Sequence, residues 1–149
     1  MSALTIATIT PELRTAWDGL WHGYLTFYKA SVPREVTDVT WQRLQDPDEP
    51  MFALGAFQGR QLVAFAHYLF HRSTWTVAPY CYLQDLFTAE EARGRGAARL
   101  LIEEVYRRAA EAGAARVYWL THETNTRARA LYDQVAENAG FIQYRKALG

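Results

Sequence analysis

The sequence holds one cysteine, Cys81, which excludes an intramolecular disulfide framework and any cysteine-cluster metal site. It has no excess charge of one sign: 16 Lys and Arg balance 16 Asp and Glu, and no dense basic tract offers the counterion-release footprint that nucleic-acid binding needs. Glycine and proline, at 9 and 5 residues, fall short of the excess that marks a low-complexity chain. Long hydrophobic runs are absent too. The apolar stretch from Met51 to Phe70 is broken by Gln58, Gly59, Arg60 and Gln61, and Met1 to Thr10 has neither a basic region nor a long apolar one. His22, His67 and His71 have no ligand-like spacing. The expectation is a cytoplasmic protein with no nucleic-acid partner, no membrane span or signal peptide, and no metal. What is present, 149 residues of which half are hydrophobic and about a fifth charged, suits one domain, residues 1–149, with a core of its own.

Leu4 to Thr10 is rich in β-branched residues and closed by Pro11, which predicts a strand. Thr10 is placed to cap a helix that has Pro11 at its first position. Trp17, Leu20, Trp21, Tyr24 and Tyr28 recur at spacings of three and four, so that helix runs to about Tyr28. Thr37 to Leu44 reads as a second short helix between Pro33 and the Pro- and Asp-rich residues 46–50. Met51 to Phe57 and Gln61 to His71 are expected as strands joined by a tight hairpin at Gln58-Gly59-Arg60, and Tyr80 to Thr88 as another strand, with Cys81 in the core. Ala97 to Ala112 carries the apolar stripe of an amphipathic helix. Glu103–Arg107 and Glu104–Arg108 are its expected exposed pairs and Gly113 its stop. A strand over Arg116 to Thr121, a helix from Asn125 to about Asn138 and a last strand over Gly140 to Lys146 complete the prediction.

The sharpest local signal is Arg93-Gly94-Arg95-Gly96-Ala97-Ala98, directly after a strand and opening a helix. Glycines there let the backbone approach a ligand, and the unpaired N–H groups of a helix start face an anion; a pyrophosphate fits. A P-loop is excluded because no Gly-Lys-Ser/Thr follows, and a dinucleotide fingerprint would need Gly or Ala where Arg99 stands. An ordinary strand-to-helix turn is the remaining alternative.

Arg93, Gly96 and Ala98 match the Gln/Arg-x-x-Gly-x-Gly/Ala signature of the GNAT superfamily, which the sequence resembles over roughly residues 80 to 145. Asn125-x-x-Ala128-x-x-Leu131-Tyr132, followed by Gly140-Phe141, is similar to a second family motif in the same order. Seven residues, Asp133 to Ala139, separate Tyr132 from Gly140, more than the family usually has. An added helical turn is expected to absorb them. The longer form looks like a branch that includes yeast enzymes acetylating polyamines, histones or D-amino acids.

The resemblance implies an α+β fold, a central mixed and mostly antiparallel sheet flanked by helices, in the order strand, two helices, three strands, helix, strand, helix, strand. It implies acetyl-CoA as cofactor and direct transfer of the acetyl group to a primary amine of a small molecule in a ternary complex, in a homodimer. A protein or peptide lysine acetyltransferase, or a CoA-binding module without turnover, are the alternatives.

The residues implied at the donor are Arg93, Gly94, Arg95, Gly96, Ala97 and Ala98 for the pyrophosphate, and Leu86, Phe87 and Thr88 as a strand edge for the pantetheine amides. Asn125, Ala128 and Tyr132 fall at i, i+3 and i+7, on one helical face toward the cofactor arm. Tyr132 is placed as general acid for the leaving thiolate, a phenol of pKa near 10 being about matched to a thiol; the alternative is a core aromatic. For the general base, Asp85, Glu123 and His122 compete with a water chain, since Gln84 stands where some polyamine-acetylating relatives have Glu. Adjacent strand residues face opposite ways unless a bulge intervenes, so Asp85 reaches the acceptor only on a bulged strand. Tyr24, Tyr28 and Trp41, with Glu35 and Gln84, are the candidate acceptor pocket.

Overall fold

The computed structural model describes residues 3–149. Strands β1 (Leu4–Thr8), β2 (Met51–Gln58), β3 (Gln61–His71), β4 (Tyr80–Thr88) and β5 (Arg116–Tyr118) form one sheet in sequence order. The first four are antiparallel, and β5 joins β4 in parallel. Helices α1 (Arg14–Phe27), α2 (Arg34–Gln45), α3 (Ala97–Glu111) and α4 (Thr126–Val135) flank it. The expected α+β class and the mixed, mostly antiparallel sheet are therefore observed.

Two apolar clusters follow from the period-2 alternation of the strands. On one face Leu54, Ala64, Ala66, Cys81 and Leu83 pack under the α3 stripe Leu101, Ile102 and Val105, with Leu131 and Tyr132 of α4 against the same cluster. On the other face Phe65 and Ala53 pack under Trp17, Leu20, Trp21 and Trp41 of α1 and α2. Trp17, Phe65, Leu101, Ile102 and Val105 are fully buried, and burial of each such side chain contributes about 1.5–3 kcal/mol.

Several local expectations are corrected. Thr10 does not cap a helix: its hydroxyl donates to Glu12, and Pro11–Leu13 forms a 3₁₀ turn before α1. Glu104 bonds both Arg107 and Arg108, and Arg107 turns to Glu111, so the expected Glu103–Arg107 pair does not form. Strand β5 stops at Tyr118, three residues short of Thr121. The extra residues after Tyr132 do not lengthen α4, which ends at Val135 with Ala136 extended. The last strand also fails to join the sheet: residues 140–146 are exposed and unpaired.

Candidate active site

Strands β4 and β5 pair only through Tyr80↔Arg116, Cys81↔Val117 and Tyr82↔Tyr118. Beyond Tyr82 they diverge, so the β5-facing edge of β4 from Leu86 to Thr88 is left without a ladder partner. The N-terminus of α3 and the first turns of α4 border this gap. The result is a cleft of about 390 Å³, large enough for a cofactor-sized molecule.

The glycine turn forms one wall. Gly94 and Gly96 have φ of 81° and 84°, and no atom lies within 4 Å of a Cβ built on either. Backbone conformation, not lack of space, requires glycine here. Gly96 is the N-cap of α3, whose first intrahelical bond runs from Leu100 N–H to the Gly96 carbonyl. The N–H groups of Ala97, Ala98 and Arg99 are thus free of intrahelical partners, and the helix dipole adds partial positive charge at the same point.

Of the residues expected at the donor, Leu86, Phe87, Thr88, Arg93, Gly94, Gly96, Ala97, Ala98, Asn125, Ala128 and Tyr132 line this cleft, and Arg95 does not. Arg95 bonds Gln58 instead. Arg93 donates through Nε to the Thr88 carbonyl, and its guanidinium lies 5.8 Å from the Phe27 ring and 5.9 Å from the Phe87 ring. Asn125 caps α4, its side chain accepting from Ala128 N–H. Sequence reasoning missed Arg99 and Arg127, which also line the cleft. Their place in the first turns of α3 and α4 was the available signal.

A second, narrow pocket of about 30 Å³ opens beside the cleft. Tyr24, Tyr28 and Gln84, three of the residues read as acceptor-side candidates, line it together with Leu83, Trp119 and Leu120. Tyr28, Leu86 and Tyr132 line both cavities and so mark their junction. Glu35 and Trp41 are corrected. Glu35 is exposed in the first turn of α2, and Trp41 is buried against Trp17 with ring centroids 4.9 Å apart. Glu123 is exposed and lines neither cavity; its carbonyl accepts from Arg129. His122 is exposed over Tyr28, centroid to centroid 5.7 Å.

Asp85 takes an unexpected place. The register slips from His67↔Asp85 to Tyr68↔Leu83, which leaves Gln84 as the extra residue of a β-bulge. The bulge turns Gln84 into the narrow pocket and Asp85 under α1, where Oδ1 accepts from the Tyr24 hydroxyl and Oδ2 meets His67 Nδ1. The strand is bulged as the sequence argument required, but Asp85 itself lines neither cavity.

Burial is the main influence on the phenols here. It pushes the Tyr132 hydroxyl up to about 12, with Tyr28 adding to the rise, above the value near 10 assumed from sequence. Tyr24 is raised strongly by burial and then by the Asp85 charge, and Tyr28 is raised by the same two causes. Burial raises the Cys81 thiol to about 11, which keeps it an inert core residue.

The sequence model of the acetyltransferase (GNAT) family matches residues 17–136. The chain is 38% identical over 145 residues to the D-amino-acid N-acetyltransferase HPA3 of Saccharomyces cerevisiae, covering 96% of this chain and 90% of that one. It is 26% identical over 136 residues to the thialysine N-epsilon-acetyltransferase of Caenorhabditis elegans, covering 91% and 83%. Among solved structures it is similar to AAC(6')-Iy in complex with the bisubstrate analogue CoA-S-monomethyl-acetylneamine. The TM-score is 0.84 at 20% identity, over 99% of this chain and 100% of that one, a likeness of fold.

Proposed function

The chain belongs to the acetyltransferase (GNAT) family, and from that premise we propose that it transfers an acetyl group from acetyl-CoA to the primary amine of a small, amino-acid-like acceptor. The observation that carries this reading is the meeting of a wide cleft and a narrow aromatic pocket at Tyr28, Leu86 and Tyr132. The donor fills the wide cleft, the acceptor presents its amine at the narrow pocket, whose about 30 Å³ holds little more than that group, and the acyl carbon sits at their junction, where direct attack needs no enzyme nucleophile. The free N–H groups at the start of α3 bind the pyrophosphate, with Arg93, Arg99 and Arg127 on the cleft wall for phosphate charge. The open β4 edge pairs with the pantetheine amides, and the Leu86 or Phe87 N–H polarises the thioester carbonyl. Tyr132 protonates the departing thiolate.

Support for a small acceptor comes from the D-amino-acid and thialysine acetyltransferases to which the chain is similar. The narrow pocket has no carboxylate among its lining residues, which favours an amino acid, whose own carboxylate offsets its positive charge, over a polyamine. The test is CoA release from acetyl-CoA with D-phenylalanine, thialysine, an aminoglycoside, spermidine and a lysine peptide. The expected order places D-phenylalanine or thialysine well above spermidine and the peptide. Release with the peptide alone would replace this reading with protein lysine acetylation, and tight CoA binding without release to any amine would make the chain a binding module.

The assembly we read is a cytoplasmic homodimer without nucleic-acid or membrane partners. Phe141, Ile142, Tyr144 and Leu148 are 87%, 78%, 90% and 95% exposed on the unpaired C-terminal segment, while β5 ends the sheet order with its outer edge unpaired among the described residues. An exposed apolar segment and an open edge are complementary between two copies. Deleting residues 137–149 is expected to convert a dimer to a monomer in light scattering. A full-length protein that is monomeric at micromolar concentration would contradict the proposal.

A further inference from the structure

The Trp17 indole N–H, which can only donate, meets His67 Nε2 at 3.0 Å in the buried space between α1 and β3. That bond sets the direction of every contact beyond it. Nε2 must offer its lone pair, so the neutral ring carries its proton on Nδ1, and Nδ1 donates to Asp85 Oδ2 at 2.9 Å. Oδ2 is thereby fixed as an acceptor. Oδ1, which accepts from the Tyr24 hydroxyl at 2.7 Å, is the oxygen at which a proton passed on by Tyr24 arrives, with the bond of Oδ2 to His67 left in place. The side chains of His67 and Asp85 are 5% and 15% exposed, so bulk water does not freely substitute for these partners.

Tyr24 lines the narrow pocket and Asp85 does not. An acceptor amine in that pocket would approach Tyr24, whose oxygen has lone pairs to offer because its proton points at Asp85. The groups facing Asp85 are His67 from β3, Tyr24 from α1, Tyr28 just past the end of α1, and Tyr82 of β4 itself. Burial and the Asp85 charge hold Tyr24 in its phenol form, so it can pass a proton on only as it receives one.

We propose that Tyr24 takes the proton from the acceptor ammonium while its own hydroxyl proton moves to Asp85 Oδ1, and that His67, oriented by Trp17, is the positioning residue that keeps Oδ1 turned to Tyr24. The step balances: an ammonium and a carboxylate become a neutral amine and a carboxylic acid. One N–H and one O–H bond break, two O–H bonds form, and no electron is gained or lost. After product leaves, the proton returns to solvent by the same path. The relay rests on the acetyl-transfer reading and adds to it the route by which the nucleophile is made neutral.

The test measures kcat/KM for the acceptor from about pH 7 to about pH 10, the span in which amines lose their proton, with D-phenylalanine, thialysine and spermidine as probes. Acetyl-CoA affinity is titrated separately. Tyr24→Phe is expected to lose roughly 10²- to 10⁴-fold at pH 7, with the loss shrinking toward pH 10 as the amine becomes neutral unaided, and with acetyl-CoA affinity unchanged. His67→Leu is expected to show a smaller loss with the same pH dependence. His67→Asn, whose amide N–H can replace the Nδ1 donor, is expected to recover part of it. A loss that is equal at every pH and follows the melting temperature would mean a packing role and overturn the relay, as would Tyr24→Phe turnover equal to wild type at pH 7. In both cases wild-type transfer leaves the acetyl-transfer reading standing. Wild-type protein that acetylates none of the three probes overturns the reading and the relay together.

Discussion

Replacing Tyr132 by Phe is expected to lower kcat by roughly 10²- to 10⁴-fold, the range for losing a general acid, with little change in acetyl-CoA affinity. Tyr132 lines both the wide cleft and the narrow pocket, on the face of α4 that also carries Ala128 to the cleft. Its ring is held edge-on by Trp119 at 5.3 Å, a contact that Phe preserves. Burial raises the phenol to about 12, whereas an ordinary thiol lies near 8.5. Complete proton transfer before the C–S bond breaks is therefore uphill, and a general acid here would act by donating to the sulfur as charge develops there. An acid works in its protonated form, and a raised value keeps that form present at every pH below about 12. Tyr132 thus contributes no fall in rate between about pH 7 and about pH 10. If Tyr132 is only a core aromatic, the variant loses about 0.5 to 1.5 kcal/mol of stability, the net worth of one hydrogen bond, and turns over normally. Measuring kcat and melting temperature on the same variant separates the two outcomes.

The donor side was legible because it is local. Gly94 and Gly96 report their own backbone angles, and Asn125, Ala128 and Tyr132 share a face through helical periodicity alone, so spacing is enough to bring them to one cleft. The acceptor side was only partly legible because its contacts are long-range. Tyr24 and Asp85 lie 61 residues apart and His67 and Asp85 18 apart, and no pattern in either segment announces the other. The bulge at Gln84 was invoked as a condition, but the partner that it serves, His67, had been set aside for want of ligand-like spacing. Trp41 and Glu35 illustrate the opposite failure. An amphipathic aromatic is more often core than pocket, and Trp41 lies against Trp17. Residues 140–146 are expected as a last strand, yet a strand needs an edge to pair with, and which edge it meets is not written in its own residues.

Placing Glu at Gly96 is expected to abolish the rise in melting temperature that acetyl-CoA gives the wild type. Two effects separate in this variant. Gly96 has φ of 84°, so any L-residue there strains the backbone by roughly 1–2 kcal/mol, while a Cβ meets no atom within 4 Å and causes no clash in the unliganded protein. Strain alone lowers the melting temperature without removing the ligand response. The carboxylate does something further: it places negative charge at the N-terminus of α3, where the partial positive charge of the helix and the N–H groups of Ala97, Ala98 and Arg99 await a phosphate. Charge and bulk then occupy the position that the pyrophosphate needs. Ligand at 100 times its Kd stabilises the folded state by about 2.7 kcal/mol, a shift that differential scanning resolves easily. Gly96→Asn is the control, because Asn tolerates the left-handed conformation and carries no charge; it is expected to keep most of the response. A Gly96→Glu protein that melts as much higher with saturating acetyl-CoA as the wild type does would place the pyrophosphate away from this turn, and equal loss of response in the Asn and Glu variants would assign the effect to side-chain bulk in place of charge.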